Sequence, residues 1–265
     1  VTDRGFTTTN SLSVASLTAN GKIIGGAPQN RANGDYAAVL GGVNSYAIGS
    51  HSNVTGGVNN TAGGNYSNVA GGYNNYAIGV RSNVAGGEVN TACGNNSNVA
   101  GGSNNCANGN NSNVAGGFSN CSIGIFSNVA GGRGNRAIGW YSNIAGGISN
   151  TACGSQSNVA GGIFNTAVGI RSNVAGGIQN ISCGTESNIA GGLSNRADGD
   201  KSNIGGGSYN CAIGDCSNIA GGELNYTGTN PALSGAPDEP YPVGLSGHNA
   251  FIGGGKSNQA IGSQS

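Results

Sequence analysis

The sequence predicts an all-β chain folded as a parallel β-solenoid, a rod of stacked coils with fifteen residues in each coil. The dipeptide Ser-Asn opens twelve successive units at intervals of fifteen residues, from Ser52 to Ser217. A fixed short period over most of a chain is typical of repeat architectures. Glycine provides 54 of the 265 residues, which disfavours helix because each Gly costs about 1 kcal/mol relative to Ala. The Val or Ile at the third position of each regular unit is not expected of a disordered tract.

The unit reads S-N-[VI]-A-G-G-x-x-N-x-A-x-G-x-x, and its fifteen positions are numbered from the Ser. Two short strands, about Ser-Asn-Val-Ala-Gly and Asn-x-Ala-x-Gly, alternate with two tight turns. Fixed Gly residues are expected to supply the positive φ angles of these turns. Stacking in register pairs each strand with its equivalent one coil away, at about 4.8 Å, so that the array forms a rod about 65–70 Å long.

The positions that keep the same residue type from unit to unit predict the interior of the coil. Val or Ile at the third position is expected to face the small Ala at the eleventh position and to fill a thin core. Asn recurs at the second and ninth positions, as in Asn68 and Asn75. Stacked Asn side chains form hydrogen-bonded ladders along such an axis and can also bond the backbone of the turns. We therefore interpret these Asn residues as structural.

The chain divides into four segments. Residues 1–21 precede the repeat and are interpreted as a strand, a cap or the end of a fibre shaft. The repeat array covers residues 22–225, including two degenerate copies at its start. Residues 226–249 contain Pro231, Pro237, Pro240 and Pro242, which predicts a protruding loop because Pro cannot occupy a central strand. The repeat resumes at 250–265, so the loop is an insertion that carries function or covers a sheet edge.

The twelfth position of the unit predicts a subunit interface. It follows the inward-facing Ala of the eleventh position, so strand alternation points it out of the coil. It is apolar in many units, and an outward apolar row usually marks an interface with another chain. We therefore expect three coils to pack side by side, with the Ala of the fourth position as a possible further contact. The candidate interface residues are Ile48, Ile78, Ile123, Ile138, Val168 and Ile213.

Aromatic residues at variable positions are candidate contacts for a host-surface protein or a glycan, since exposed aromatic side chains often anchor a partner. The alternative is that they pack against a neighbouring subunit. The acidic pair of the proline-rich loop is a further candidate. These partner-binding candidates are Phe118, Phe126, Trp140, Tyr141, Phe164, Asp238 and Glu239.

The sequence contains no motif that predicts catalysis. His51 and His248 have no metal-ligand spacing, and the seven Cys residues match no zinc pattern. We expect no enzyme activity, no cofactor and no metal site, and we interpret Cys as a small apolar substitute for Ile, Val or Thr. The formal net charge is zero, which does not favour a nucleic-acid partner. No apolar run approaches the roughly 20 residues of a membrane span, so no membrane insertion by this segment is expected.

The repeat resembles the head repeats of trimeric autotransporter adhesins, the YadA-like head. The resemblance covers about residues 22–225 and 250–262, and Ile204-Gly205-Gly206-Gly207 is similar to the family variants with a triple-Gly turn. It implies a homotrimer of left-handed parallel β-rolls, displayed on a surface and used for attachment to host molecules or neighbouring cells. Similar repeats occur in fibre proteins of phages and large viruses, and the seven Cys residues fit a virion component assembled in a reducing cytosol or an interchain link.

The functional prediction is a non-enzymatic structural and adhesive protein, the trimeric head of a surface adhesin or viral fibre. Its expected location is the cell surface, the extracellular space or the virion surface. The alternative is a self-assembling extracellular or virion filament subunit, built by end-to-end stacking of solenoids. The two predictions differ in whether the terminal coils are capped or exposed.

Overall fold

The computed structural model describes residues 21–228 and 249–261, and all the regular secondary structure in these ranges is β. Thirty strands of two residues form two parallel sheets of fifteen strands each, without a helix among the described residues. The predicted all-β parallel solenoid with fifteen-residue coils is confirmed. Residues 1–20, the predicted loop residues Asp238 and Glu239, and residues 262–265 lie outside the described ranges.

Each coil contributes one strand to each sheet. The first sheet contains β1 (Ile23–Ile24), β3 (Ala38–Val39), β5 (Asn53–Val54), β7 (Asn68–Val69), β9 (Asn83–Val84), β11 (Asn98–Val99), β13 (Asn113–Val114), β15 (Asn128–Val129), β17 (Asn143–Ile144), β19 (Asn158–Val159), β21 (Asn173–Val174), β23 (Asn188–Ile189), β25 (Asn203–Ile204), β27 (Asn218–Ile219) and β29 (Phe251–Ile252). The second sheet contains β2 (Arg31–Ala32), β4 (Tyr46–Ala47), β6 (Thr61–Ala62), β8 (Tyr76–Ala77), β10 (Thr91–Ala92), β12 (Cys106–Ala107), β14 (Cys121–Ser122), β16 (Arg136–Ala137), β18 (Thr151–Ala152), β20 (Thr166–Ala167), β22 (Ile181–Ser182), β24 (Arg196–Ala197), β26 (Cys211–Ala212), β28 (Tyr226–Thr227) and β30 (Gln259–Ala260).

The register follows the sequence repeat without a slip. Val69 lies opposite Val84 in the first sheet, and Ala77 lies opposite Ala92 in the second. The strands are shorter than predicted, since only the second and third and the tenth and eleventh positions are paired as strands. A third ladder of single bridges connects residues at the seventh position, as in Val58 and Tyr73. This third ladder was not predicted from the sequence.

The core is a thin double row of apolar side chains. Val69 and Ala77 are fully buried, as are their equivalents in the other regular coils. The predicted pairing of a large third-position side chain with a small eleventh-position one is therefore confirmed. Ser at the first position is also fully buried, for example Ser67 at 1% exposure, and sequence reasoning did not place it in the interior.

The ninth-position Asn side chains form a buried ladder that bonds the backbone of successive coils. The Nδ2 group of Asn75 donates to the carbonyl oxygens of Gly71 and Gly87, each at 2.9 Å. Its Oδ1 accepts from the backbone N–H of Asn90 at 2.9 Å. The side chain is fully buried, so these bonds satisfy turn carbonyls that water cannot reach. The structural interpretation of this position is confirmed.

The glycines serve two purposes, and only one was predicted. Gly72, at the sixth position, has a φ of +88°, as expected for a turn. Gly79, at the thirteenth position, does not have a positive φ. A Cβ there would instead overlap the carbonyl group of Gly94 in the next coil. The expectation that the fixed Gly residues supply the positive φ angles of the turns is therefore confirmed at the sixth position, holds in only some units at the fifth and fails at the thirteenth, where Gly instead allows two coils to approach closely.

The array continues past the insertion in the same register. β27 pairs directly with β29, so that Ile219 lies opposite Ile252. Across the same gap, Asn225 Nδ2 donates to the Gly255 carbonyl at 3.0 Å. Since β28 is itself paired with β26, the array extends to residue 228 and does not end at residue 225 as expected. The segment between the coils is therefore an insertion into an unbroken solenoid.

Candidate interaction surfaces

The outer face of the second sheet carries the tenth and twelfth positions. Ile48, Ile78 and Val168 are 49%, 50% and 44% exposed, whereas Ile123, Ile138 and Ile213 are half-buried. The prediction that the twelfth position points outward is confirmed for all six residues. Gly63, Asn108 and Asp198 occupy the same row, which is therefore apolar over only part of its length. Contact of this row with another subunit stays a prediction.

The outer face of the first sheet is much more uniform. Asn68 Nδ2 donates to Asn83 Oδ1 at 2.9 Å, and the same bond recurs from coil to coil between Asn53 and Asn218. These second-position side chains are half-buried, and the small fourth-position side chains beside them, such as Ala70, are exposed. The predicted Asn ladder is confirmed here also. The face presents a flat strip of amides and methyl groups.

The structure divides the predicted aromatic candidates between the two turns of the coil. Phe126 and Tyr141 occupy the fifteenth position of successive coils, and their rings stack with centroids 4.9 Å apart. Trp140 precedes Tyr141 in the same turn and is 61% exposed. Phe118 and Phe164 lie at the seventh and eighth positions, in the turn that leads from the first sheet to the second. We call Phe126, Trp140 and Tyr141 the aromatic turn patch.

A second stack of rings was missed by sequence reasoning. His51 lies between Tyr36 and Tyr66, with centroids 5.0 and 4.8 Å away, and the Arg81 guanidinium lies 5.8 Å from the Tyr66 centroid. All four residues occupy the fifteenth position and have positive φ angles of 55–60°. The signal was their fifteen-residue spacing, because equal positions in a solenoid stack directly on one another.

Six of the seven Cys residues lie on the outer face of the second sheet, at the tenth and twelfth positions, and all seven are free thiols. Near Asp198, burial raises the pKa of Cys183 to about 11 and that of Cys211 to about 12, and the Asp198 carboxylate adds to both shifts. The Arg196 guanidinium bonds Asp198 at 2.6 Å and opposes those shifts only in part. Both thiols are therefore protonated at neutral pH and behave as weakly polar packing groups.

Among the described residues, no group of three or more His, Cys, Asp or Glu side chains could hold a metal ion. The described ranges also contain no helix that is long and apolar enough to cross a membrane. The geometry thus presents repeated outer faces and exposed turns. The fold and these surfaces define a β-solenoid repeat protein.

Comparison with protein-family models finds none that matches this chain. Comparison with curated proteins likewise finds no match.

Proposed function

We propose that this chain is a non-enzymatic structural protein, a rigid trimeric rod displayed on a cell or virion surface, where it mediates attachment. The fold is compatible with a fibre-like protein, since its paired coils form an unbroken array with continuous outer faces. The observation that carries the proposal is the outward row of twelfth-position side chains on the second sheet. Apolar side chains such as Ile78 remain about half exposed there in the single chain.

A trimer would cover this row of exposed apolar side chains. Three parallel rods packed around a common axis would bury their second-sheet faces against one another, in a closed symmetric arrangement. The small side chains at Gly63 and Cys93 alternate with Ile48 and Ile78 along the row. A partner's large side chains would fit against these gaps. The burial of exposed apolar area would stabilise the trimer by about 25 cal/mol for each Å².

Attachment is assigned to the aromatic turn patch. Trp140 and Tyr141 lie in the turn that leads back from the second sheet to the first, beside the proposed interface. Exposed aromatic side chains are frequent anchors in protein interfaces, and their apolar faces and polar edges also suit glycans. Phe126 stacks on Tyr141, which fixes the ring orientation before any partner binds. This pre-organisation lowers the entropic cost of binding.

The trimer is tested by the mass of the protein in solution. We expect about 77 kDa, three times the chain mass of 25.7 kDa. The double variant Ile78→Asp, Ile138→Asp should fall to the monomer mass, because it places charges in the interface. The matched control is Val58→Asp, an exposed residue on the third ladder, which should remain trimeric. A monomeric wild-type protein would contradict the trimer.

Electron microscopy separates the attachment rod from a self-assembling filament. Discrete rods of one length at all concentrations would support the proposal. Rods that lengthen with concentration would support end-to-end stacking of solenoids and contradict a discrete head.

Attachment is tested with a labelled trimer on a glycan array and on intact cells. Trp140→Ala should abolish binding that the wild-type protein shows. Tyr209→Ala is the control, since Tyr209 is 51% exposed in the other turn and should leave binding unchanged. Equal binding by both variants would contradict the assignment to the aromatic turn patch. If the wild-type protein binds neither the array nor the cells, the adhesive role is contradicted.

A further inference from the structure

Two cysteines on the second sheet are direct neighbours across adjacent coils. Cys106 begins β12 and Cys121 begins β14, and the two residues lie opposite each other in the strand register. All seven cysteines fall within the described residues, and these two alone are register neighbours. Both side chains are half-buried on the outer face. In the single chain, the fold therefore places two reactive groups side by side on a face that small molecules can reach.

The distance between the two strands permits a covalent link. Neighbouring strands lie about 4.8 Å apart, which is within the range of about 4.4–6.8 Å between the Cα atoms of a disulfide. Because the register is exact, both side chains leave the same face of the sheet. The Cys106 thiol donates to Asn108 Oδ1 at 2.8 Å, and Cys121 lies opposite it on the next strand.

The surroundings of the pair distinguish its two thiols. The hydrogen bond from Cys106 lowers the pKa of Cys121 to about 7, against the effect of burial, and the positive charge of Arg136 on β16 contributes. The same hydrogen bond raises the pKa of Cys106, burial raises it further, and the neighbouring Cys121 and Cys93 thiols add to the shift. At neutral pH about half of the Cys121 thiols are therefore ionised, each beside a protonated Cys106. Low-pKa, accessible cysteines next to a second cysteine are typical of oxidant-sensitive sites.

We propose that Cys121 is an oxidant-sensitive thiol and that Cys106 is its resolving partner, forming a reversible disulfide between two adjacent coils. The Cys121 thiolate attacks one oxygen of hydrogen peroxide, the O–O bond breaks, and the products are a Cys121 sulfenic acid and hydroxide. The Cys106 sulfur then attacks the Cys121 sulfur, and the hydroxyl group leaves as water with the thiol proton. In total, two thiols and one peroxide give one disulfide and two waters.

The same geometry makes this disulfide easy to reduce. Parallel side chains in exact register keep their Cβ atoms about as far apart as the strands, whereas a relaxed disulfide has a Cβ separation of about 3.8 Å. The coils must therefore shift to form the bond, and strained disulfides have more oxidising potentials. We favour thiol chemistry over a metal site because no third ligand gathers with the pair among the described residues. This inference does not rest on the proposed attachment function, and it concerns the single chain, because the proposed trimer would cover this face of the second sheet.

The test uses the full chain with Ile78→Asp and Ile138→Asp, so that no trimer covers the face, reduced and then treated with stoichiometric hydrogen peroxide and iodoacetamide. Mass spectrometry should show two fewer alkylated thiols than in the untreated protein, and dithiothreitol should restore them. Cleavage at Val114 and Phe118 separates the two cysteines in the chain, so a linked peptide identifies the bond. Cys153→Ser should form the same link, because Cys153 has no cysteine opposite it. Cys106→Ser should instead accumulate a Cys121 sulfenic acid that dimedone traps.

The rate supplies a second measurement. Cys121 should react at pH 7.5 at least about tenfold faster than Cys153, whose thiol has a pKa raised by burial. The Cys121 rate should rise with pH through a midpoint near 7. Equal oxidation of all seven thiols, or a link between chains on a non-reducing gel, would overturn the proposal. So would dimedone labelling of Cys121 that is unchanged by the presence of Cys106.

Discussion

The side-chain oxygens of Ser122 and Ser127 lie 2.6 Å apart inside the core of the solenoid. Ser127 also donates to the Gly124 carbonyl at 2.7 Å, so Ser122 is the donor to Ser127. Ser182 and Ser187 repeat this pair four coils later. Where the preceding unit has Ala at the eleventh position, the first-position hydroxyl lacks this partner. The buried hydroxyls without a hydrogen bond belong to Ser52, Ser67, Ser82, Ser97, Ser112, Ser142, Ser157, Ser172 and Ser202.

The first prediction compares two serines at the same position of the unit. Ser67→Ala should leave the free energy of unfolding unchanged or raise it by about 1 kcal/mol, because it removes a buried hydroxyl that makes no bond. Ser127→Ala should lower it by about 1–2 kcal/mol, because the Ser122 hydroxyl then loses its acceptor. Urea denaturation of both variants measures the difference. Equal destabilisation by the two substitutions would contradict it.

The second prediction compares two glycines of one coil. Gly79→Ala should destabilise the protein by about 3–5 kcal/mol or prevent folding, because its methyl group would overlap the Gly94 carbonyl. Gly71→Ala should change stability by no more than about 1 kcal/mol, since a Cβ at Gly71 meets no atom within 4 Å. Thermal denaturation followed by circular dichroism distinguishes them. A stable Gly79→Ala variant would show that adjacent coils can separate at this turn.

These results show why the core could be predicted from the sequence. The inward positions carry the same residue types in coil after coil, because each side chain packs on its own equivalent. Val69 and Ala77 therefore reveal the core through repetition alone, and Asn75 reveals its ladder in the same way. The buried Ser67 was equally repetitive, but a small polar residue gives no sign of facing inward.

The turns could not be predicted to the same degree. The fifteenth position has a positive φ in Tyr66, Arg81 and Phe126, and these residue types have no preference for that conformation. The conformation is imposed by contacts between coils, for example by the Arg81 N–H, which donates to the Asn65 carbonyl at 2.8 Å. The sequence located the aromatic residues correctly on exposed positions. Their division between two turns depends on the path of the coil.

The third prediction separates the two Asn ladders. Asn75→Ala should lower the free energy of unfolding by about 3–5 kcal/mol, because three backbone groups lose their buried partner at once. Asn68→Ala should cost only about 1 kcal/mol, since its partners are half-buried amides that water can replace. Chemical denaturation measures both. A larger loss for Asn68→Ala would mean that the outer ladder is the main support.

The last prediction concerns the modular construction of the rod. Deletion of residues 82–96 removes one whole coil and joins Arg81 to Ser97, the first residue of an equivalent unit. Both sheets then regain their register, because Val69 would meet Val99 and Ala77 would meet Ala107. The shortened protein should fold and be about 4.8 Å shorter by small-angle scattering.

Deletion of residues 82–89 is the matched control for that experiment, since it removes only half a coil. It would place Asn90 where Ser82 belongs and Ala92 where Val84 belongs, and it would move Val99 from the buried row to the outward tenth position. We expect this variant to aggregate or to lose its β-sheet circular dichroism signal. If both deletions fold equally well, the coils do not depend on exact register. If the full-coil deletion fails while the intact chain folds, the coils are not interchangeable, and particular side chains between 82 and 96 support the array in addition to the repeat.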